Sequence, residues 1–446
     1  MPESSIIIIV GITGDLSRRY LLPALGEMAF AGVFSKPFRI VGITRQEHMN
    51  LDELLSGIAN AEHIRPHIEL FSMSLVDDAE YKILSSKLSA IEVDFGGGAQ
   101  RLWYLAVPPK TAWPIIEHLG VSGLSKAPHT KLLLEKPFGI DEESARELIT
   151  HVEKSFTEQQ VYRIDHYLAK ETVQNIVVFR RDNPLFEQTW NGDFIERVDI
   201  LVSEKIGIEG RAAFYEQTGA LRDVVQSHLL QLAALTLMEL PEDGEWARIP
   251  EARRKILSTL AVAPERARRG QYAGYRDEVG NPGSMVETFA SLTLVSSEPR
   301  WRDVPIRLTT GKALGERKME IVTTYRHTAA TEGNRLSIRI QPDESIEFCI
   351  NAKKPGYEQA TERIPLTFTY ADHFGALSGA YERVFLDALH GNHALFVGSE
   401  EVLESWRIID AARKIFESTP GNLLIHERGE SPERILSMDA SGSMRK

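Results

Sequence analysis

The sequence predicts an α/β domain with a doubly wound parallel sheet over residues 1–160, followed over residues 161–446 by an α+β domain with a large, mostly antiparallel sheet. The chain has 446 residues and is 43% hydrophobic. Its length exceeds the roughly 250 residues at which single cores usually divide, so two domains are expected. Short apolar runs alternate with amphipathic stretches in the first third. After about residue 160, helical segments are followed by runs that alternate polar and apolar residues.

Four short apolar runs in the first third, each bounded by Gly, Pro or charged residues, predict buried strands. They are Ser5–Val10, Phe38–Ile43, Arg101–Val107 and Lys131–Leu134. Helical spacing of apolar residues predicts helices at Leu16–Ala31, Leu51–Asn60, Asp77–Ile91 and Thr111–His118. Strands that alternate with helices imply βαβ units, and therefore a Rossmann-type sheet with helices on both faces.

In the second part, helices are predicted near His166–Phe179 and Leu221–Leu240. Alternating patterns predict strands at Phe194–Ser203, Val286–Val295, Ile306–Thr310 and Leu336–Ile340. This succession is typical of an α+β domain. The stretch from about residue 427 to 446 is polar and Ser-rich, so we expect it to fray as a mobile tail.

Charge and cysteine content exclude several classes of function. A formal net charge of −12 argues against a general basic surface for nucleic acid or an anionic membrane. Cys349 is the only cysteine, so neither an intrachain disulfide nor a thiolate metal cluster can form. No apolar stretch approaches the ~20 residues that cross a bilayer. We therefore expect a cytoplasmic protein that meets anionic ligands through a local cluster of positive side chains.

A glycine turn between the first strand and the first helix indicates a nucleotide site. It contains Gly11, Thr13, Gly14, Asp15 and Leu16. Backbone N–H groups in such a turn can approach a pyrophosphate, and the following helix adds partial positive charge. The third glycine of the G-x-G-x-x-G pattern is absent, so an ordinary tight turn is the alternative.

The end of the second strand bears on which dinucleotide binds. NAD-binding folds usually carry an acid there for the ribose, whereas an Arg accommodates the 2′-phosphate of NADP. This strand is followed by Arg45 and has no acid, which favours NADP. The alternative is a solvated arginine at a strand end.

Residues Arg163 to Glu171 form the densest polar cluster of the chain. If Asp165 caps a helix, His166 and Lys170 are four residues apart and share one face. A phosphate between them, with Tyr167 donating a hydrogen bond, would turn their repulsion into binding. The alternative is an exposed helical face with ordinary charges.

Two more side chains are candidates for the chemistry. His228 shares an apolar helical stripe with Val224 and Leu232, so it is either a core histidine or a general base that needs a carboxylate to orient its ring. Spacing does not show whether Asp165 reaches it. Lys136 ends a strand where doubly wound sheets bind ligands, and it either contacts cofactor and substrate or points into water.

Together these motifs resemble the glucose-6-phosphate dehydrogenase family, from the first strand to about residue 360. The family's nucleotide turn matches Gly11 to Leu16, with Ile12 in place of a small residue. Its Arg-Ile-Asp-His-Tyr-Leu-Gly-Lys-Glu signature matches Arg163 to Glu171, with Ala169 in place of Gly. Further matches, in the family's order, are Arg101–Pro109, Glu135–Gly139, Glu209–Arg211, Arg222–Asp223 with His228, and Gly311–Lys318. The final third matches poorly.

The resemblance implies hydride transfer from C1 of glucose 6-phosphate to NADP, without a metal, as the first step of the oxidative pentose phosphate pathway. It implies that His228 is the general base and that Asp165 orients it. Implied substrate contacts are Lys136, His166, Tyr167, Lys170, Glu204, Asp223, Lys312, Arg317 and Gln341. Implied cofactor contacts are Gly11, Thr13, Gly14, Asp15, Leu16, Arg45, Tyr104 and Lys136. A homodimer or homotetramer is also implied.

Two other functions are compatible with parts of this pattern. A sugar oxidoreductase of the glucose–fructose oxidoreductase type shares the Rossmann domain and the Glu-Lys-Pro turn, but it lacks the phosphate signature at Arg163–Glu171. A non-catalytic sensor of NADP or sugar phosphate would be free to lose the base, yet Asp165, Lys170 and His228 are all present.

Overall fold

The computed structural model of the chain describes residues 4–241, 245–327, 332–375 and 377–438. The chain divides into two compact units. The first unit takes the chain up to Lys170 together with Trp246–Pro250 and Ser378–Val402, and the second takes the remaining described residues. The boundary predicted at residue 160 therefore moves to 170, and a late segment predicted for the second domain belongs to the first.

Strands are numbered along the whole chain. Their bounds are β1 Ser5–Val10, β2 Phe38–Thr44, β3 Ile68–Ser72, β4 Gln100–Leu105, β5 Thr130–Glu135, β6 Val161–Ile164, β7 Ile195–Ser203, β8 Leu260–Val262, β9 Arg268–Tyr272, β10 Phe289–Ser296, β11 Ile306–Gly311, β12 Lys318–Tyr325, β13 Arg335–Gln341, β14 Ser345–Lys353, β15 Thr361–Thr369, β16 Phe396–Val397 and β17 Leu423–His426. The longer helices are Leu22–Phe30, Asp78–Asp94, Pro109–Val121, Glu142–Glu153, Glu171–Asp182, Ala212–Ala220, Leu230–Leu237, Ile249–Thr259, Ala380–His390 and Ser399–Ser418, and π-helical turns span Ser17–Leu21 and Leu221–Leu229.

The described residues of the first unit form a seven-stranded sheet in the order β16-β6-β5-β4-β1-β2-β3. Strands β1 to β6 run parallel, and only the short β16 is antiparallel to its neighbour β6. Strand β1 lies between β2 and β4, and its residues Ile6 to Ile9 are fully buried. Burial on both faces explains why these strands are continuous apolar runs. The predicted Rossmann-type sheet is confirmed.

The described residues of the second unit form a ten-stranded sheet with the main order β15-β14-β13-β12-β7-β11-β10-β9-β17, and β8 pairs with β10. Most pairs are antiparallel, as predicted, but β7 runs parallel to β11 and β17 runs parallel to β9. The parallel pair β7 and β11 brings two carboxyl ends of strands side by side. Glu204 and Lys312, two charged residues of the candidate site, directly follow these two ends.

The stretch expected to fray from residue 427 is ordered in part. Residues Pro432–Leu436 form a short helix, and Ile435 is fully buried in a cluster with Phe289, Leu314 and Leu424. The prediction was therefore wrong for residues 427–438, because apolar residues in a polar segment provide an anchor. Residues 439–446 lie outside the described residues. No helix in the described part of the chain is long and apolar enough to cross a lipid bilayer.

A buried arginine from another helix, Arg180, binds the carboxyl end of the helical segment Leu221–Leu237, which carries His228. The guanidinium of Arg180 donates to the carbonyls of Leu235 and Thr236 at 3.2 Å and of Met238 at 2.9 Å. It also donates twice to the carboxylate of Glu187, at 2.8 and 3.1 Å. The last carbonyls of a helix have no partner within the helix. Arg180 therefore satisfies them and fixes where this helix ends.

Candidate active site

The nucleotide turn after β1 requires glycine at its first position. Gly11 has a φ of +89°, and a Cβ there would lie 2.6 Å from the carbonyl oxygen of Ala106. The turn is closed by the amide of Gly14 and the hydroxyl of Ser17, which donate to the Gly11 carbonyl at 2.9 and 3.0 Å. Only glycine adopts this conformation without strain. The turn thus lies close to the backbone that follows β4, and backbone atoms line the turn.

The bulky residue in this turn is accommodated within the unit's core. Ile12 is fully buried, and a Cβ on Gly42 of β2 would overlap its side chain. Ile12 therefore fills the space that the missing side chain of Gly42 leaves. The departure from the family pattern is therefore accommodated inside the core of the unit.

Four sequence-predicted residues follow the carboxyl ends of parallel strands in the first unit. Gly11 follows β1, Arg45 follows β2, Lys136 follows β5 and Asp165 follows β6. Because these strands run parallel, their carboxyl ends meet at one edge of the sheet, where doubly wound folds bind their ligands. Arg45 is exposed there. The structure therefore gathers these four residues along one edge.

The phosphate signature forms successive turns, and the helix predicted from His166 begins only at Glu171. The Asp165 carboxylate accepts a hydrogen bond from the Tyr167 amide at 3.0 Å, and the Asp165 carbonyl accepts one from the Leu168 amide at 3.0 Å. An aspartate that bonds its own backbone two residues on forms a turn. The prediction that His166 and Lys170 share a helical face was therefore wrong. Lys170 instead lies over the Tyr167 ring, 5.6 Å from its centroid.

Tyr104 lies inside the first unit rather than on its surface. It is fully buried, and its hydroxyl donates to the Glu135 carboxylate at 2.5 Å. Burial raises the pKa of Glu135, whereas hydrogen bonds from Tyr104 and Tyr381 and the charge of Lys136 lower it, and the charge of Asp165 raises it. In this structure the Tyr104 hydroxyl thus supports Glu135, and the predicted contact between Tyr104 and a cofactor stays a prediction. The peptide bond between Lys136 and Pro137 is cis.

In the second unit, His228 lies on the π-helical turn Leu221–Leu229 and is 3% exposed. Such turns are frequent at functional sites. The helix continues through Leu237. The carbonyls of Thr236 and Leu237 accept hydrogen bonds from the indoles of Trp190 and Trp301, both at 2.7 Å. The segment that carries the histidine is therefore anchored at its end by buried donors.

Glu204 and Lys312 form an ion pair at the ends of the parallel strands β7 and β11. The ammonium of Lys312 donates to the Glu204 carboxylate at 2.5 Å and lies 5.4 Å from the centroid of the Tyr215 ring. Burial raises the pKa of Tyr215, and the charges of Asp223, Glu287 and Glu204 raise it further. The second unit thus brings Glu204, Asp223 and Lys312 around one tyrosine.

The remaining predicted substrate residues stand at other positions in the second unit. Arg317 is exposed before β12, and Gln341 is half-buried at the end of β13.

The remaining predicted cofactor residues lie in the nucleotide turn of the first unit. Thr13 and Leu16 are half-buried there, and Asp15 is exposed and paired with Arg19 at 2.8 Å. The contacts predicted for these residues remain predictions.

Sequence reasoning missed Tyr215, Glu135 and Tyr381 as parts of these clusters. Glu135 had a usable signal, since it immediately precedes Lys136 at a strand end. Tyr215 and Tyr381 had no local signal, because each reaches its partners through the tertiary fold.

Comparisons with known proteins agree with this arrangement. Residues 8–175 match the family described as glucose-6-phosphate dehydrogenase, NAD binding domain, and residues 177–435 match its C-terminal domain. The likeness therefore extends well beyond residue 360, where the motifs had ended. A glucose-6-phosphate 1-dehydrogenase of Chlamydia muridarum is 35% identical over 97% of this chain and 95% of its own length.

Another relative and a solved structure give the same picture. Glucose-6-phosphate 1-dehydrogenase 2 of Mycobacterium tuberculosis is 36% identical and covers 97% of this chain and 92% of its own length. The structure of a glucose-6-phosphate dehydrogenase in complex with its substrate glucose-6-phosphate superposes with a TM-score of 0.90 at 29% identity. That match covers 100% of this chain and 99% of the other.

Proposed function

Because this chain belongs to the glucose-6-phosphate dehydrogenase family, we propose that it oxidises D-glucose 6-phosphate at C1 to 6-phosphogluconolactone, with NADP as the hydride acceptor. The observation that carries this proposal is the row of Gly11, Arg45, Lys136 and Asp165 along one sheet edge. At Gly11 a Cβ would meet the neighbouring backbone, and a turn lined by backbone in this way would let a pyrophosphate approach its N–H groups. The nicotinamide supplies the hydride acceptor when it is bound.

The chain's own residues would handle the proton and orient the sugar. As the C1–H bond breaks and its electron pair leaves as hydride, His228 takes the proton of the C1 hydroxyl, and the C1–O bond becomes the lactone carbonyl. A carboxylate at Asp165 would stabilise the imidazolium that forms. Lys136 would contact both substrate and cofactor. The roles of His228 and Asp165 rest on the family's motif.

The sugar phosphate and hydroxyls would be held by the remaining polar groups. His166, Tyr167 and Lys170 supply donors for the phosphate from the turns after β6. Glu204, Asp223 and Lys312 provide a carboxylate and ammonium set suited to sugar hydroxyls or phosphate, with Arg317 and Gln341 as further contacts. Residues 166–170 form turns where a helix was predicted, but the three donors still lie on one short segment. The proposed phosphate site therefore does not depend on a helix at these residues.

A rate assay tests the function directly. We expect formation of reduced cofactor to be fastest with NADP and glucose 6-phosphate, and slower with NAD, free glucose or galactose 6-phosphate. An oxidoreductase of the glucose–fructose type would accept free glucose at least as well as the phosphate ester. Binding of glucose 6-phosphate without any turnover would contradict the proposal and indicate a sensor.

Replacing Lys170 with Ala is expected to raise KM for glucose 6-phosphate about 10- to 100-fold with a much smaller change in kcat, since hydrogen bonds between charged groups contribute strongly to binding. The rate with free glucose should hardly change, because it carries no phosphate. Lys154→Ala, on an exposed lysine of the same unit, is the control. An equal loss with free glucose would contradict a phosphate contact.

Replacing Arg45 with Ala is expected to lower kcat/KM for NADP about 10- to 100-fold through loss of a charge-assisted contact to the 2′-phosphate. The value for NAD should change little. Arg146→Ala removes an exposed arginine of the same unit that pairs with Glu142, and it should alter neither value. A parallel loss for both cofactors would show that Arg45 does not discriminate between them.

We also propose a cytoplasmic location and a homodimer or homotetramer. The single cysteine fits a reducing compartment. The oligomeric state rests on family likeness, and the molar mass of the purified chain, measured by light scattering, would test it.

A further inference from the structure

A glutamate just before β10 holds the start of the helical segment that carries Asp223 and His228. The carboxylate of Glu287 accepts a hydrogen bond from the amide of Leu221 at 3.0 Å. The carbonyl of the same residue accepts one from the amide of Ala220 at 2.9 Å. The first amides of a helix have no partner within the helix, and Leu221 begins this segment. Glu287 therefore receives two consecutive amides at the point where the segment starts.

The chain turns at Gly219 so that these two amides meet the glutamate. Gly219 has a φ of +61° and interrupts the helical path just before the segment. A Cβ at this position would lie 2.5 Å from Oε1 of Glu287 and 2.9 Å from its Cδ. The carboxylate thus occupies the space that a side chain at 219 would need. Its close approach to the helix start depends on glycine at this one position.

The next residue, Thr288, holds a second segment of the candidate site. Thr288 is fully buried, and its carbonyl accepts a hydrogen bond from the amide of Lys312 at 2.9 Å. Its own amide donates to the Gly270 carbonyl at 2.8 Å, and its hydroxyl accepts from the amide of Tyr272 at 3.0 Å. Two adjacent residues before β10 therefore join the helix start to the strand end that presents Lys312. All of these residues belong to the second unit.

We propose that Glu287 is a positioning residue for the dehydrogenase reaction: its carboxylate fixes the start of the helix that carries the proposed base, relative to the strand end that presents Lys312. The inference rests on the proposed function, because it takes Asp223, His228 and Lys312 as residues that act on the sugar phosphate. Glu287 itself needs no contact with the substrate. The nucleotide turn belongs to the first unit, so loss of this carboxylate should impair the handling of glucose 6-phosphate and spare dinucleotide binding.

The test begins with Glu287→Ala, which removes the acceptor of the Leu221 amide. We expect kcat/KM for glucose 6-phosphate to fall about 10- to 100-fold, because a small displacement of a reacting group is costly. The dissociation constant for NADPH, measured by fluorescence, should stay within about twofold. Glu287→Gln keeps an oxygen that can accept from Leu221, so it should restore kcat/KM to within about threefold of the wild type.

A carboxylate elsewhere in the second unit is the matched control. Glu404 is half-buried and accepts a hydrogen bond from Arg407 at 2.7 Å. Glu404→Ala should leave kcat/KM within about twofold. If Glu287→Ala does not fold, Glu287→Asp gives the same comparison, since it keeps the charge but withdraws the oxygens by one methylene.

A double-mutant cycle tests the contact from the side of the glycine. The methyl group of Gly219→Ala should displace the carboxylate and lower kcat/KM about tenfold or more. In the Glu287→Ala background no carboxylate remains to be displaced, so the further loss should be much smaller. Any strain from the positive φ is present in both backgrounds and cancels in this comparison.

Three outcomes would overturn the proposal. They are wild-type kcat/KM in Glu287→Ala, an equal loss of NADPH affinity in that variant, and the same effect of Gly219→Ala in both backgrounds. Turnover by the wild type tests the function separately. The dissociation constant for glucose 6-phosphate, measured by calorimetry, tests the inference without turnover, and Glu287→Ala should raise it about tenfold.

Discussion

Replacing His228 with Asn is expected to lower kcat about 10²- to 10⁴-fold, the usual contribution of a general base, and to change KM for glucose 6-phosphate far less. Asparagine keeps a polar group of similar size but cannot take the hydroxyl proton. A group that acts only in the transition state affects kcat and kcat/KM equally. Steady-state rates at saturating NADP would measure both constants.

A second buried histidine provides the control for this substitution. His426 is 1% exposed in the second unit, and its ring nitrogen contacts the Glu427 carbonyl at 3.0 Å. His426→Asn should leave kcat of the folded protein nearly unchanged. If His228→Asn kept its kcat and lost only substrate affinity, His228 would be a binding or core residue and the proposed mechanism would fall.

Replacing Arg180 with Met is expected to lower the free energy of unfolding by about 3–5 kcal/mol, the usual cost of removing one partner from a buried ion pair. Burial lowers the pKa of Arg180, and the Glu187 carboxylate opposes that shift. Met fills much of the volume but leaves the carbonyls of Leu235, Thr236 and Met238 without this donor. The midpoint of denaturant unfolding, with an unchanged slope, would report the loss.

The neighbouring arginine is a matched control for Arg180. Arg181 lies on the same helix and pairs with Asp182 at the surface, at 2.7 Å. Exposed pairs of this kind contribute little, so Arg181→Met should change stability by less than about 0.5 kcal/mol. Equal stability of the two variants would show that the buried guanidinium does not hold the helix that carries His228.

Local patterns predicted the central parallel strands well, because residues buried on both faces leave continuous apolar runs such as Ile6 to Val10. The same patterns placed Gly11, Arg45 and Lys136 at one sheet edge, since each directly follows a strand. They failed at residues 166–170, where the Asp165 side chain competes for a backbone amide and converts helical spacing into turns.

Contacts between distant segments had no local signal. Nothing in the sequence around Tyr381 indicates that its helix joins the first unit. The pairing of Glu204 with Lys312 depends on β7 and β11 being parallel, which an expected antiparallel sheet would not suggest. The family resemblance predicted Glu204 and Lys312 as site residues, and the parallel register of β7 and β11 explains why they lie side by side.

The return of residues 378–402 to the first unit bears on how the protein is made. Lys131 of β5 donates to the carbonyls of Ala388 and Leu389 at 2.6 and 3.0 Å, and β16 completes the sheet edge beside β6. These partners leave the ribosome only after most of the chain has been synthesised. The first unit therefore reaches its complete form only in the final portion of synthesis, when residues 378–402 become available.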